Sequence, residues 1–278
     1  MAERAGLIRL AVFGMPVTRS LSPDIHQQFA RHCGLEIDYQ PIETSPRDFI
    51  RHVHELAEAG GRGCNITVPL KHAAWELARR ASPSATRAQA ANTLLFESAD
   101  DYYADNTDGR GLVADLVLRM AVTLTGRRVM VMGAGGATAG ILGDLLDQAP
   151  AELVLANRTA DRALALAARF AAQGPVVVCT LDQLEQLGFF DLVINATSLG
   201  HAGLFPALPA ALFSPGSLCY DLNYGQAAEP LRKQCEARGI EYRDGLGMLV
   251  EQAAIAFELW TGCKPDSNAV LQRLRKDH

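Results

Sequence analysis

A lysine stands just past a short alternation of polar and apolar residues in Asn65-Ile66-Thr67-Val68-Pro69-Leu70-Lys71. Near an apolar wall and a carboxylate, a lysine ammonium has a tunable pKa and can act in proton transfer. Taken alone, a lysine after a strand is more often a surface charge. Ser20-Leu21-Ser22-Pro23 places two hydroxyls at the mouth of a helix, where they and the first-turn amides can bind a carboxylate. Ser22 can equally be a plain helix N-cap, with Pro23 at the first helical position and Asp24 in the first turn. Ala91-Asn92-Thr93 and Asp105-Asn106-Thr107-Asp108-Gly109 are dense in side chains that both donate and accept. Such density makes either a turn or a wall that binds hydroxyl groups. None of these three patterns is decisive by itself.

Gly133, Ala134, Gly135, Gly136 and Ala137 follow an apolar run and open a helical pattern, the context that a dinucleotide-binding loop requires. Gly133 allows the tight turn, Gly135 lets the backbone approach a pyrophosphate, and the helix-start amides hold the phosphates. Thr138 stands where the strict pattern has its third glycine. About 20 residues beyond such a loop, an NAD site places an acid on the ribose 2′-hydroxyl. Here Asn157, Arg158 and Thr159 occupy that place, with Arg162 one turn further on. A missing acid and a present base favour NADP, because a guanidinium pairs bidentately with a 2′-phosphate. The plainer reading makes both arginines solvated helix-start residues.

These residues need a scaffold, and the chain alternates strand and helix patterns. Strands are expected at Ile8–Gly14, 37–42, 64–68 and 93–96, with helices from Ser22 toward Gly34 and over 46–59, 73–81 and 85–91. From Asp108 the character changes: a helix over 109–120 precedes the strand Arg-Arg-Val-Met-Val-Met (127–132) that runs into the glycine loop. The helix 137–146, strand 153–157 and helix 160–172 continue the series. Short apolar strands at 176–179, 192–195 and 217–221 follow, then helices at 248–261 and 268–276. Near-continuous apolar strands between helices indicate a parallel sheet covered on both faces, a Rossmann-type arrangement.

The chain has 278 residues, enough for two domains at about 150 residues each. A hydrophobic fraction of 49% and a charged fraction of 21% describe a globular protein. The net charge of −5 offers no broad basic surface, which argues against nucleic acid and anionic membrane as partners. The start MAERAGLIRLAVFG lacks an apolar core of signal-peptide length. Residues 192–220 carry no Asp, Glu, Lys or Arg, but Pro206, Pro209 and Pro215 break them up. The six cysteines have no CxxC pair or metal spacing and read as scattered reduced thiols of a cytoplasmic protein, with no metal site expected.

Taken in order, SLSP, NITVPLK, ANT, DNTDG, GAGGA, NRT, INATSLG, YDLNY and DGLGMLVEQA resemble the shikimate dehydrogenase family from about Ala11 to Trp260. Each motif is moderately specific and their collinear combination is highly so. The resemblance implies an α/β protein. Its N-terminal substrate domain (1–107) is completed by the C-terminal helices (246–278), and a Rossmann-type NADP domain (108–245) is inserted between, with a cleft separating the two. It implies reversible reduction of 3-dehydroshikimate to shikimate with NADPH, in the pathway to aromatic amino acids. It further implies that Ser20 and Ser22 hold the substrate carboxylate, assisted by Tyr224, and that Thr67, Asn92 and Gln252 bind the ring hydroxyls. Lys71 and Asp108 match the catalytic pair, with Asp108 also touching substrate. The segments 133–137 and 157–162 match the NADP contacts, and Leu222 and Gly245 match positions beside the nicotinamide.

The chain departs from the family pattern at four places. His72 follows the lysine where an acid is common, and Leu21 replaces a frequent lysine between the serines. Thr138-Ala139 lacks an arginine after the glycine loop, and Pro83 replaces a frequent acid. None touches the acid–base pair; they bear on affinity and cofactor preference. The alternatives are a quinate/shikimate dehydrogenase with broader substrate and NAD use, a non-catalytic ligand and NADP sensor, and a folate-type dehydrogenase, which SLSP with DNTDG disfavours. Family members include monomers and homodimers.

Overall fold

The strand β1 (Ile8–Gly14) is buried without a break from Leu10 onward, as a strand covered on both faces must be. It lies inside a six-stranded mixed sheet with β2 (Ile37–Glu43), β3 (Gly61–Ile66), β4 (Arg80–Ala81), β5 (Thr93–Ser98) and β6 (Asp101–Asp105), in the order β2-β1-β3-β5-β6-β4. β1 pairs in parallel with β2 and β3, whereas β5 runs antiparallel to both β3 and β6. This is the computed structural model of the chain, and it describes residues 6–277. The expectation for the charged start of the chain therefore lies partly outside the described residues.

Two compact units emerge, one formed by residues 1–111 with 250–278 and the other by residues 112–249. The chain passes between them within the helices Asp108–Val113 and Leu246–Thr261. In the first unit, Phe13, Phe49, Val53, Ile66, Leu94 and Tyr102 are among the side chains that make the core. The late helix joins this core through Trp260, whose indole Nε1 donates to Leu94 O at 2.9 Å. The approach is so close that a Cβ at Gly63 would strike the Trp260 ring and the Leu94 carbonyl, so β3 tolerates only glycine there.

The second unit is an all-parallel sheet of β7 (Arg128–Met132), β8 (Glu152–Ala156), β9 (Val177–Cys179), β10 (Phe190–Asn195), β11 (Phe213–Asp221) and β12 (Glu241–Arg243), in the order β12-β11-β10-β7-β8-β9. The strand order reverses between β7 and β10, and such a switch point leaves a crevice outside the carboxyl ends of the strands. Among the described residues, no helix is long and apolar enough to cross a membrane.

Some expectations need correction. Cys33 and Cys263 are joined by a disulfide, with Cα atoms 6.4 Å apart. Their separation of 230 residues in sequence hid the pairing, which only the docking of the C-terminal segment beside the helix Ser22–Cys33 creates. The other four cysteines are free and buried. Ser22 is the first helical residue rather than the N-cap, and its own side chain caps nothing; its amide instead donates to Ser20 Oγ at 3.2 Å. The helix expected over 109–120 is α-helical only through Val113 and continues as a π-helical turn, Ala114–Arg119, around the buried carboxylate of Asp115. β4, β6, β12 and the helix Glu229–Glu236 add elements that the sequence pattern alone does not single out.

Candidate functional site

Lys71 is the first residue of the helix Lys71–Leu77, and Asp108 the first of Asp108–Val113. Lys71 Nζ lies 2.5 Å from Asp108 Oδ2, with side-chain exposures of 14% and 8%. Partial burial strengthens and aims such a pair, because little water competes for the charges. The other carboxylate oxygen, Asp108 Oδ1, accepts from Asn92 Nδ2 at 2.8 Å. Asn92 Nδ2 also faces Thr107 Oγ1 at 2.8 Å and Gln252 Oε1 at 3.1 Å, and Asn92 Oδ1 accepts from the Thr107 amide at 2.9 Å. Lys71, half-buried, thus joins the buried Asn92, Thr107, Asp108 and Gln252 in one cluster drawn from four separate stretches of the chain.

Polar groups around the cluster are held by neighbours. The turn carrying Asp108 is fixed from behind: Asn106 Nδ2 donates to Ala90 O at 2.9 Å, and Asn106 Oδ1 accepts the Asp108 amide at 3.2 Å. Thr67, half-buried at the end of β3, donates its amide to Phe13 O at 2.8 Å, and its side chain occupies the space that a Cβ at Gly14 would need. Ser20 is half-buried and Ser22 buried at the start of their helix. Ser22 hydrogen-bonds Tyr39, whose hydroxyl donates to Asn65 Oδ1 at 2.7 Å. Asn65 Nδ2 donates in turn to Asn92 O and to Thr93 Oγ1, at 3.2 and 3.1 Å. A hydrogen-bonded path therefore runs from Ser22 to the Asn92 cluster.

The path has a further anchor that sequence reasoning did not select. His26 is fully buried, stacked on Tyr39 with ring centroids 4.4 Å apart and flanked by Phe29, Phe257 and Trp260. Its Nε2 lies 3.1 Å from Asn65 Oδ1. Asn65 uses its amide hydrogens elsewhere, so His26 is the donor and carries its proton on Nε2. Burial among rings pushes its pKa down to about 3 against the pull of the Asn65 bond, which keeps the ring neutral. The only signal in the sequence was the polar residue Asn65 opening the motif that ends in Lys71.

In the second unit the glycine loop follows β7 and enters the helix Gly136–Leu146. Gly133 has φ of +105° and donates to Ala156 O at 2.8 Å, a conformation that L side chains rarely adopt. Ala134 and Ala137 are half-buried, whereas Gly135 and Gly136 are exposed and a Cβ on either would meet nothing within 4 Å. Bare backbone amides at a helix start are what a phosphate group needs, so the loop fits a dinucleotide. Thr138 is buried and donates to Gly133 O at 2.7 Å, closing the loop from within instead of facing a ligand.

Beyond β8, Asn157 Nδ2 donates to Thr159 O at 2.9 Å and shapes the turn into the helix Ala160–Arg169. Arg158, Thr159 and Arg162 are exposed, and neither arginine pairs with a carboxylate among the described residues. Their free guanidiniums fit a 2′-phosphate. Leu222 is half-buried and Gly245 buried, and a Cβ at Gly245 would collide with the Leu222 carbonyl. Tyr224 is half-buried just before the turn Gly225–Ala228, in the second unit, whereas Ser20 and Ser22 belong to the first. No group of His, Cys, Asp and Glu that could hold a metal ion occurs among the described residues.

Comparison with known proteins places this geometry in context. Residues 12–94 match the shikimate dehydrogenase substrate binding domain, 115–204 match shikimate/quinate 5-dehydrogenase, and 245–275 match the shikimate 5′-dehydrogenase C-terminal domain. The chain is 47% identical to a shikimate dehydrogenase (NADP(+)) of Alkalilimnicola ehrlichii, over 97% of its own length and 99% of that protein. Among solved structures it is similar to an Ael1 enzyme of Pseudomonas putida, with 40% identity, a TM-score of 0.88, and coverage of 96% of this chain and 98% of that one. It is also similar to a shikimate 5-dehydrogenase of Thermus thermophilus solved in complex with NADP(H) and shikimate, with 33% identity, a TM-score of 0.83, and coverage of 98% and 100%. By sequence over nearly its whole length and by fold, the chain belongs to the shikimate dehydrogenase family.

Proposed function

We propose that the protein reduces 3-dehydroshikimate to shikimate, reversibly and with NADPH, as a step toward aromatic amino acids. The observation that carries this reading is the Lys71–Asp108 pair at 2.5 Å, wired through Asn92 to Gln252 in a buried polar cluster. Bound NADPH supplies the hydride that reduces the ring carbonyl. Lys71 Nζ gives a proton to the resulting oxygen and takes it back in the oxidation direction. Asp108 accepts a hydrogen bond from Lys71, aims the ammonium and sustains its charge. Ser20 and Ser22 hold the substrate carboxylate, and Thr67, Asn92 and Gln252 bind the ring hydroxyls. Residues 1–107 and 246–278 serve as the substrate part of the chain and 108–245 as its cofactor part.

Gly133, Ala134, Gly135, Gly136 and Ala137 hold the pyrophosphate on backbone amides, and Asn157, Arg158, Thr159 and Arg162 take the adenosine side with its 2′-phosphate. Leu222 and Gly245 stand beside the nicotinamide. The cytoplasmic setting rests on the use of NADPH in biosynthesis and no longer on the cysteines. The deciding experiment is NADP-dependent oxidation of shikimate, measured beside quinate and NAD controls. Turnover of shikimate with NADP well above the other combinations is expected. Equal turnover of quinate, or of NAD, would favour a broader quinate/shikimate enzyme, and binding without turnover would remove the catalytic reading.

A further inference from the structure

Beyond the carboxyl ends of β10 and β11 lies a buried carboxylate to which the reaction above gives no task. Asp221, the last residue of β11, is 0% exposed and has no cationic partner among the described residues. Its Oδ1 accepts three N–H bonds, from Asn195 Nδ2 at 2.9 Å, the Asn223 amide at 2.9 Å and Asn223 Nδ2 at 2.8 Å. Its Oδ2 receives Tyr242 Oη at 3.4 Å. Each donor is itself a connector. Asn195 Oδ1 accepts the Thr197 amide and hydroxyl at 3.0 and 2.7 Å. Asn223 Nδ2 also donates to Thr197 O at 3.0 Å, and Asn223 O accepts the Gly245 amide at 2.9 Å. The Leu222 amide donates to Asn195 O at 2.9 Å.

One carboxylate therefore ties together three loop segments that follow different strands. The first packs on the turn of the glycine loop, since a Cβ at Gly133 would lie 3.1 Å from Ala196 O. The second and third carry Leu222 and Gly245. All three lie at the carboxyl ends of parallel strands, and the first borders the switch point between β10 and β7, where this kind of sheet takes its ligand. An acid is a costly way to pin loops: burial pushes Asp221 up to about 6, against the pull of its amide donors. An apolar residue would fill the volume without that cost, but it would leave three N–H groups without an acceptor.

We propose that Asp221 is a positioning residue for the nicotinamide end of the cofactor, holding the backbone at Leu222, Gly245 and the Gly133 turn in one arrangement through Asn195 and Asn223. This rests on the reading of residues 108–245 as the part of the chain that binds NADP. The test measures NADPH affinity by fluorescence, shikimate affinity by calorimetry, steady-state constants for both, and the melting temperature. Asp221→Ala leaves three N–H groups without their acceptor and is expected to weaken NADPH binding about tenfold or more, and to lower kcat, with shikimate affinity unchanged. Asp221→Asn can keep the three bonds on its carbonyl oxygen and is expected to restore most of the NADPH affinity.

Asn223→Ala, at a half-buried loop position, is expected to reproduce the cofactor defect and decides the matter if Asp221→Ala does not fold. Parental NADPH affinity and kcat in the folded variants, with only a lower melting temperature, would overturn the assignment and leave a purely structural role. A parent protein that binds NADPH without oxidising shikimate would remove the dehydrogenase reading and leave the positioning role standing. A parent that binds no NADPH would overturn both.

Discussion

The two units present polar chemistry in opposite ways. In the first, side chains do the work: Lys71, Asn92, Thr107, Asp108 and Gln252 satisfy one another in one largely buried cluster, and Ser22, Tyr39, Asn65 and His26 support it from below. In the second, the outward-facing groups are backbone amides at Gly135 and Gly136 and two unpaired arginines, while the buried polar groups around Asp221 hold loops in place. Under the proposed function, the contrast follows from what each ligand demands. A small ring with several hydroxyls is told from its relatives only by side chains placed to fractions of an ångström. A dinucleotide offers phosphates, which any helix start can hold, and so needs shape and charge more than a wired cluster.

Breaking the wired cluster at Lys71, the proposed proton-transfer group, is expected to have the largest effect. Lys71→Ala should lower kcat about a hundred- to ten-thousand-fold in a folded protein, with NADPH affinity retained. Steady-state kinetics beside a binding titration checks this, and a near-parental kcat would show that the two units do not divide the labour as described. Striking the charge-based site should do less. Arg158→Ala combined with Arg162→Ala should raise the KM for NADPH about ten- to a hundredfold and leave the KM for NADH nearly unchanged, the loss expected for bonds to a charged group. An equal loss with both cofactors would mean that these arginines do not read the 2′-phosphate.

The smallest expected effect sharpens the comparison through stability. His26 stays neutral in the folded protein down to about pH 3, whereas in the unfolded chain its pKa is near 6.5. Between those values the unfolded state binds the extra proton, so the stability contributed by the neutral buried ring is lost as pH falls below about 6.5. The slope is about 1.4 kcal/mol per pH unit. Melting curves from about pH 7 to about pH 5 should show a smaller acid-induced loss in His26→Phe than in the parent. Equal losses would mean that the first unit's buried histidine is not a source of its acid sensitivity.

By itself the sequence determined what is local. The parallel α/β strands of the second unit, the glycine loop entering a helix, and the arginines in place of an acid after the next strand are all contiguous patterns. Their meaning depends on spacing along one strand–turn–helix segment, which periodicity reports directly. It also carried the order of short motifs on which the family resemblance rests. Only the tertiary structure decided what is distant: that Asn92 meets Gln252, that Tyr39 and His26 stand behind Asn65, that Cys33 reaches Cys263, and that one carboxylate at Asp221 gathers three loops. Those contacts follow from strand order, register and the return of the C-terminal helices to the first sheet. No local propensity encodes them, because each depends on two segments arriving at the same place.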